Sequence, residues 1–573
     1  MTLKATQHKL IIYQVLPRLF GNTNTTNKFY GSITENGCGK FNDINNTALT
    51  AIKDMGFTHV WYTGIIEHAT ITDYSASGIK PDDPDVVKGR AGSPYAIKDY
   101  YDVDPDLAVD VPNRMAEFEA LVNRTHQQGL KVIIDFVPNH VARTYQSDVK
   151  PAGVRDFGED DDVSQAFSPA NDFYYIPGQA FKVPEGYDPG GSEYKSPLKD
   201  GRFDEYPAKG TGDDVFTASP SINNWFETIK LNYGVDFSKG YDMHFEPIPP
   251  VWQKMLHILS FWADKGIDGF RCDMVECVPS EFWAWIIPQM KQLYPDLIFI
   301  GEAYQTGQYS NYLFNGQFDY LYDKVGLYDA VKRLIRNEPG ASTWEINRVW
   351  NHDTRGFDER MLRFMENHDE QRIASQHFAG DAWLAIPGMI VTATLAGGPV
   401  MIYFGQEVGE PATEANGFSG ADGRTTIFDY WGVPEHQKWL NGGTYDGGQL
   451  SASQRSLRSF YSKLLNLCSL CPAIYEGKFY ELMVANERNA GFNDRIYLYA
   501  RYTDQQRILI AVNFNRQEQE INIKLPEDLL RQFELSGSVV FKDLLSDTQF
   551  EFADINNGLW VKVPASNGLL LEF

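Results

Sequence analysis

Cysteine is scarce. The chain has five, Cys38, Cys272, Cys277, Cys468 and Cys471, among 573 residues. An odd, scattered set excludes a disulfide framework. Cys468 and Cys471 form one C-x-x-C, and no second Cys pair or His cluster completes a zinc site, so the pair reads as a helix end. Positive charge is also in deficit, with 51 Lys and Arg against 76 Asp and Glu and a formal net charge of −25. Such a surface repels phosphate backbones and anionic lipid, which argues against nucleic acid or a membrane surface as a partner. A long unbroken apolar run is missing too. Residues 382–404 come nearest, but Pro387 and Gly397-Gly398-Pro399 divide them into a buried helix and a buried strand rather than a membrane span. Residues 1–9 lack the apolar core of a signal peptide, so the chain as it stands reads as cytoplasmic. A periplasmic or secreted chain freed of its leader would read the same.

What is present is ordinary in bulk: 43% hydrophobic and 22% charged residues, the balance of a packed globular protein and not of a disordered one. The length suits two or three domains. The aromatic share of 14% suits stacking on sugar rings as well as a large core. Along the first two thirds one theme recurs: a helical pattern, a stopping glycine, a short apolar run, then polar or acidic residues. Met115, Phe118, Leu121, Val122 and Thr125, for example, fall at helical spacing before Gly129 and the run at 130–137. The apolar runs lie at 10–16, 57–62, 130–137, 267–272, 297–300, 317–321, 361–365 and 400–404. Alternating α/β units in this number predict a closed (β/α)8 TIM barrel. A doubly wound open sheet is the alternative, and no Gly-rich phosphate loop follows an early strand to support it.

The barrel is expected in two parts, 1–140 and 236–466. Residues 141–235, rich in Gly, Pro, Asp and aromatics, read as an insertion after strand three. Residues 467–573 change to short alternating strands and read as a C-terminal antiparallel β-sandwich domain. The insertion's Phe173, Tyr174, Tyr175, Trp225 and Phe226 fit either sugar platforms or a small core. The acidic run at 159–162 fits a solvated loop better than a cation site.

In such a barrel the chemistry sits at the C-terminal strand ends. Four of those ends are acidic: Asp135 through His140, Gly269 through Asp273, Glu302 after strand five, and Glu366-Asn367-His368-Asp369. Arg271 and Asp273, two apart on one strand, point the same way into the barrel mouth. Asp273, Glu302 and Asp369 should then converge, with Arg271, His140 and His368 around them. Paired carboxyls at one site can divide acid and base roles when one is ionised and the other protonated. Arg271 is expected to hold Asp273 ionised, and the neighbouring carboxylates to keep the proton on Glu302.

These motifs, DFVPNH at 135–140, GFRCD at 269–273, IGEA at 300–303 and ENHD at 366–369, resemble in order and spacing those of glycoside hydrolase family 13, the α-amylase family. The segment Ser93-Pro94-Tyr95 through Pro105 and the three-part layout are similar as well. The resemblance implies a retaining hydrolase of starch, maltodextrin or related α-glucans. Asp273 would be its nucleophile, Glu302 its general acid/base and Asp369 its transition-state stabiliser. It implies further that Arg271, His140 and His368 line the subsite of cleavage and that Tyr95 stacks on that sugar. No cofactor is required. A structural calcium ion is implied through Asn139, which resembles a family calcium ligand. The stretch Asp273-Met274-Val275-Glu276-Cys277 departs from the Lys-His pair that many α-amylases carry shortly after the nucleophile, whose His backbone serves calcium and whose Lys serves a sugar.

Three competing readings remain, of which a metal-dependent barrel hydrolase would use the strand-end acids as ligands, although His140 and His368 lack the His-x-His spacing such sites often show. A transglycosylase uses the same intermediate and differs in whether a sugar or water attacks it. A non-catalytic relative would typically have lost carboxylates that this chain keeps. Linkage preference, endo or exo action and oligomeric state are not fixed by the sequence.

Overall fold

The computed structural model describes residues 9–413 and 420–573. Residues 1–8, the stretch read above for a leader, lie outside the described residues. Eight parallel strands close into a barrel. They are β1 (Ile11–Val15), β2 (His59–Tyr62), β3 (Lys131–Phe136), β4 (Gly269–Cys272), β5 (Ile298–Gly301), β6 (Tyr320–Tyr322), β7 (Met361–Phe364) and β8 (Val400–Tyr403). Neighbours in sequence are neighbours in space, and β8 returns to pair with β1, Ile12 opposite Met401. The strands read as continuous apolar runs because a parallel barrel buries them on both faces.

Each expected barrel strand is present: six lie within their apolar runs and are one or two residues shorter, β5 keeps the length of its run but is shifted by one residue, and β6 is two residues shorter and ends one residue later. The helices between them bury one stripe. Asn46–Asp54 begins where the Asn45 side chain accepts from the Ala48 amide, and it buries Ala48, Leu49 and Ile52. Arg114–Gln127 buries Phe118, Leu121, Val122 and Thr125, four of the five residues whose spacing predicted the helix, and leaves Met115 half-buried. The helix Ile386–Thr394 is buried all round. It lies between the barrel and the C-terminal sheet, with Ile390 against Gly568 and the Thr394 and Tyr499 hydroxyls hydrogen-bonded. That position accounts for the long apolar run: a helix covered on every side needs no polar face.

The C-terminal part is antiparallel, as expected. Six strands form one sheet, in the order Lys478–Glu481, Ile496–Tyr502, Arg507–Asn513, Asn567–Glu572, Val539–Asp543 and Gln549–Phe552. Gln519–Ile523 pairs with Leu559–Val563 in a second, smaller sheet. The sequence reading missed the outer strands Lys478–Glu481 and Gln549–Phe552, whose half-exposed faces lack an apolar run.

The insertion leaves β3 through the short strand His140–Ala142, which pairs with Thr228–Lys230, His140 opposite Lys230. Its aromatics divide. Phe173, Tyr174, Tyr175 and Phe226 are buried and serve as core, while Trp225 is half-buried with its ring 5.3 Å from that of His140. In the acidic run, Asp161 accepts from the Asp172 and Phe173 amides and the Tyr175 hydroxyl. It organises a loop.

Between β2 and β3 lies an element that the sequence reading did not find. It is an antiparallel pair, Ile66–His68 with Ile97–Val103, and the long loop between the two strands, residues 69–96, ends in a turn that carries Tyr95. Gly92 in that loop has φ +78°, and a Cβ there would stand 1.7 Å from the Ala69 carbonyl oxygen. The left-handed conformation alone costs an L-residue ~1–2 kcal/mol, and the clash adds to it. Gly92→Ala is therefore expected to lower Tm by several degrees in scanning calorimetry. An unchanged Tm would show that the loop relaxes freely.

Candidate active site

Three strand ends meet around one guanidinium. Arg271 on β4 is fully buried and stands opposite Asp135 on β3 and Ile300 on β5. Its Nη1 donates to Asp273 Oδ1 at 2.8 Å and to Asp135 Oδ1 at 3.3 Å. Its Nη2 lies 2.8 Å from Glu302 Oε2, an ion-pair distance at an angle short of a good hydrogen bond. Nε donates to the Tyr322 hydroxyl at 3.2 Å. The rings of Trp61, Tyr95 and Tyr322 surround the cation at 5.3, 5.5 and 5.6 Å. A cation held on aromatic faces and among carboxylates stays charged where water is absent. Burial works against that charge, but Glu302, the Tyr322 and Tyr95 rings and Asp273 outweigh it, and the guanidinium pKa lies well above its ordinary value.

Asp273 and Glu302 extend adjacent rungs of the barrel. The Asp273 amide donates to the Phe136 carbonyl at 2.9 Å and the Glu302 amide to the Cys272 carbonyl at 3.0 Å. Glu302 is fixed from both sides: the Tyr304 hydroxyl donates to Oε1 at 2.6 Å and the Met274 amide to Oε2 at 2.9 Å. Met274 is held left-handed, at φ 44° and ψ 48°, a strained conformation for a side chain of its size.

Arg271 favours the ionised form of Asp273, as expected, but it is not the largest influence on that carboxyl. Burial pushes the Asp273 carboxyl well above the carboxylate range, Arg271 lowers it and Glu302 raises it again. The guanidinium is divided among three carboxyls, so no one of them receives its full charge. Asp135 is raised by burial too, against Arg271 and His368, and accepts from Trp61 Nε1 at 3.0 Å and the Tyr95 hydroxyl at 3.3 Å. That placement fits a buttress.

Asp369 follows β7 and remains partly open to the cleft. Its Oδ2 lies 3.0 Å from His368 Nε2. Burial would raise its pKa, but His368, Arg271 and Arg424 outweigh burial and bring it below the ordinary value. Gln14 Nε2 lies 2.7 Å from His368 Nδ1, so Nδ1 accepts and Nε2 carries the hydrogen that faces Asp369 and the Tyr95 hydroxyl, 2.6 Å away. The Tyr95 and His368 rings stack at 5.2 Å and 21°. Asp273, Glu302, Asp369, Arg271, His368 and Tyr95 thus form one connected cluster at one end of the barrel. His140 stands beside it, under Trp225. Burial and the Lys230 ammonium hold its pKa down at about 3, so the imidazole is neutral.

Asn139 does not fit the expected calcium ligand. Its Oδ1 accepts from the Lys230 ammonium and its Nδ2 donates to the Gly212 carbonyl. Among the described residues no group of three or more His, Cys, Asp or Glu side chains is placed to hold a metal. The oxygen that a cation would need is engaged by a cation of the chain itself.

Sequence reasoning missed Gln14, Trp61, Tyr304 and Tyr322. Trp61, Tyr322 and Gln14 lie on the barrel strands and Tyr304 follows Glu302 by two residues, which is the signal that points to them.

A closed parallel barrel with this carboxylate cluster at its strand ends defines an enzyme that acts on glycosidic bonds. Residues 14–436 match the α-amylase catalytic domain and residues 492–556 the cyclomaltodextrinase C-terminal domain. The chain belongs to the α-amylase family. It is 23% identical over 451 residues to α-amylase 3 of Dictyoglomus thermophilum, covering 75% of each chain. It is 20% identical to neopullulanase 2 of Thermoactinomyces vulgaris, over 90% of this chain and 71% of that one. Among solved structures, a noncanonic maltogenic α-amylase from Thermotoga neapolitana superposes with TM-score 0.61 at 19% identity, over 98% of both chains.

Tyr304→Phe removes a hydrogen bond to a carboxylate, worth about 1.5–3 kcal/mol. Turnover is expected to fall roughly 10- to 100-fold with KM little changed, and the pH profile of kcat to shift. Wild-type kcat would show that Tyr304 does not position Glu302.

Proposed function

We propose that the chain is a retaining hydrolase of α-glucans such as starch and maltodextrin. The observation that carries this reading is Arg271 in contact with both Asp273 and Glu302 on neighbouring strands. Strands lie ~4.7–4.9 Å apart, close to the ~5–5.5 Å that a double displacement uses. Catalysis needs the proton on Glu302 and Asp273 ionised.

In this reading Glu302 gives its proton to the departing glycosidic oxygen while an Asp273 oxygen bonds to the anomeric carbon. The first bond breaks as the second forms. Glu302, now ionised, takes a proton from water, whose oxygen displaces Asp273 and restores the original anomeric configuration. Asp369, ionised and facing the cleft, accepts from sugar hydroxyls and favours the distorted ring. His368 and the neutral His140 donate to hydroxyls of the same sugar, Arg271 holds the charge of the pair, and Tyr95 presents a ring face to the sugar. Side chains carry every step, with no cofactor required.

The acceptor is the variable. One relative is named cyclomaltodextrin glucanotransferase, 24% identical over 419 residues, and a sugar acceptor would use the same intermediate. The deciding experiment follows products from maltoheptaose, starch, pullulan and sucrose by NMR and chromatography. Glucose or short maltodextrins released in the α configuration are expected. Products longer than the substrate would move the reading to a transferase, and β products would overturn the covalent intermediate.

Asp273→Asn, nearly isosteric, is expected to cut kcat by about 10³-fold or more without lowering Tm. Glu302→Gln should cost roughly 10²- to 10⁴-fold on maltodextrin and far less in the first step on aryl glycosides with good leaving groups. Equal losses on both substrates would remove the acid role.

A further inference from the structure

We infer that Lys230 is a built-in replacement for a metal ion: its ammonium fills a cation cradle at the seam between the insertion and the barrel. Lys230 is 2% exposed, on the insertion's return strand. Its three N–H donors meet three oxygens from three separate segments. One is Asn139 Oδ1, just after β3. Another is the backbone carbonyl of Cys277 at 3.1 Å, in the turn after β4. The last is Asp214 Oδ1 at 2.7 Å, within the insertion. A side-chain amide oxygen, a main-chain carbonyl and a carboxylate are the hard-oxygen donors that calcium takes. Here they converge on nitrogen. The Phe237 ring lies 5.7 Å from the same ammonium.

The arrangement has a structural consequence. The insertion is tied to the barrel at Lys230 by one charge that cannot dissociate, where an ion would leave when its concentration fell. His140 stands opposite Lys230 in the same strand pair, so the tie also fixes the cleft wall that carries His140 and Asn139. The inference does not depend on which reaction the cleft performs, because it is tested on stability.

The full chain is melted by scanning calorimetry in about 1 mM EGTA and in about 10 mM calcium or magnesium chloride, concentrations that bracket weak calcium sites. The wild type is expected to melt at one temperature in all three. Lys230→Asn empties the ammonium position and adds an amide oxygen. It is expected to melt several degrees lower in EGTA and to recover in calcium but not in magnesium, which demands tighter octahedral geometry. Asp214, Lys230 and Cys277 line an open cavity of about 280 Å³, so added metal has a path in. A wild-type Tm that rises with calcium would overturn the inference. So would a variant that melts like the wild type, or one that is destabilised without any calcium response, which would mark an ordinary buried ion pair. Should Lys230→Asn fail to fold, Asp214→Asn serves. Its carboxylate is 40% exposed, so the change is tolerable. It is expected to lower Tm modestly and stay indifferent to calcium, and a calcium-dependent rise would overturn the inference.

Discussion

The cleft depends on a single buried positive charge. Arg271 is fully buried, and three aromatic rings and three carboxyls surround its guanidinium. A buried cation of this kind is tolerable only when its surroundings are fully arranged. Strands β3, β4 and β5 therefore have to keep register at their ends, and β6 has to bring Tyr322 up from the side. The barrel supplies that arrangement through backbone hydrogen bonds, so the charge is prepared before any sugar arrives. A pre-formed field costs no reorganisation during reaction.

The division of Arg271 among its partners also shapes the proton inventory. Asp273 is driven toward its neutral form by burial and Asp369 toward its charged form by His368, Arg271 and Arg424. The two aspartates are alike in type and differ in surroundings. One faces a shared guanidinium in a dry wall, and the other stands partly open beside a histidine whose hydrogen is aimed at it.

The sequence disclosed the barrel and the cluster for definite reasons. A parallel strand buried on both faces must be apolar throughout, so its end is marked where acids begin, and Asp273, Glu302 and Asp369 are read at such marks. Arg271 and Asp273 share a face because alternate strand residues do. Other features had no such signal. Whether Tyr174 and Phe226 pack inward or face a sugar depends on how a loop-rich insertion folds. The paired strands Ile66–His68 and Ile97–Val103 contain Glu67, Lys98, Asp99 and Asp102, buried charges that local pattern assigns to a loop. The setting of Asp273 was legible only in part: adjacency in sequence showed one Arg beside one Asp, while the fold places two further carboxyls on the same guanidinium. Lys230 takes its meaning from Asn139, Asp214 and Cys277, which are scattered along the chain.

Asp273 and Glu302 each hang from the next backbone hydrogen bond beyond their strands. Their separation is thereby inherited from the ladder of the barrel, with Met274 and Tyr304, just past the strand ends, holding the Glu302 carboxyl in place. The long excursions of the chain above the barrel can be lengthened, trimmed or exchanged without retuning the pair that does the chemistry. Remodelling the rim alone can then alter which sugar the cleft admits, with the carboxyl pair left as it stands.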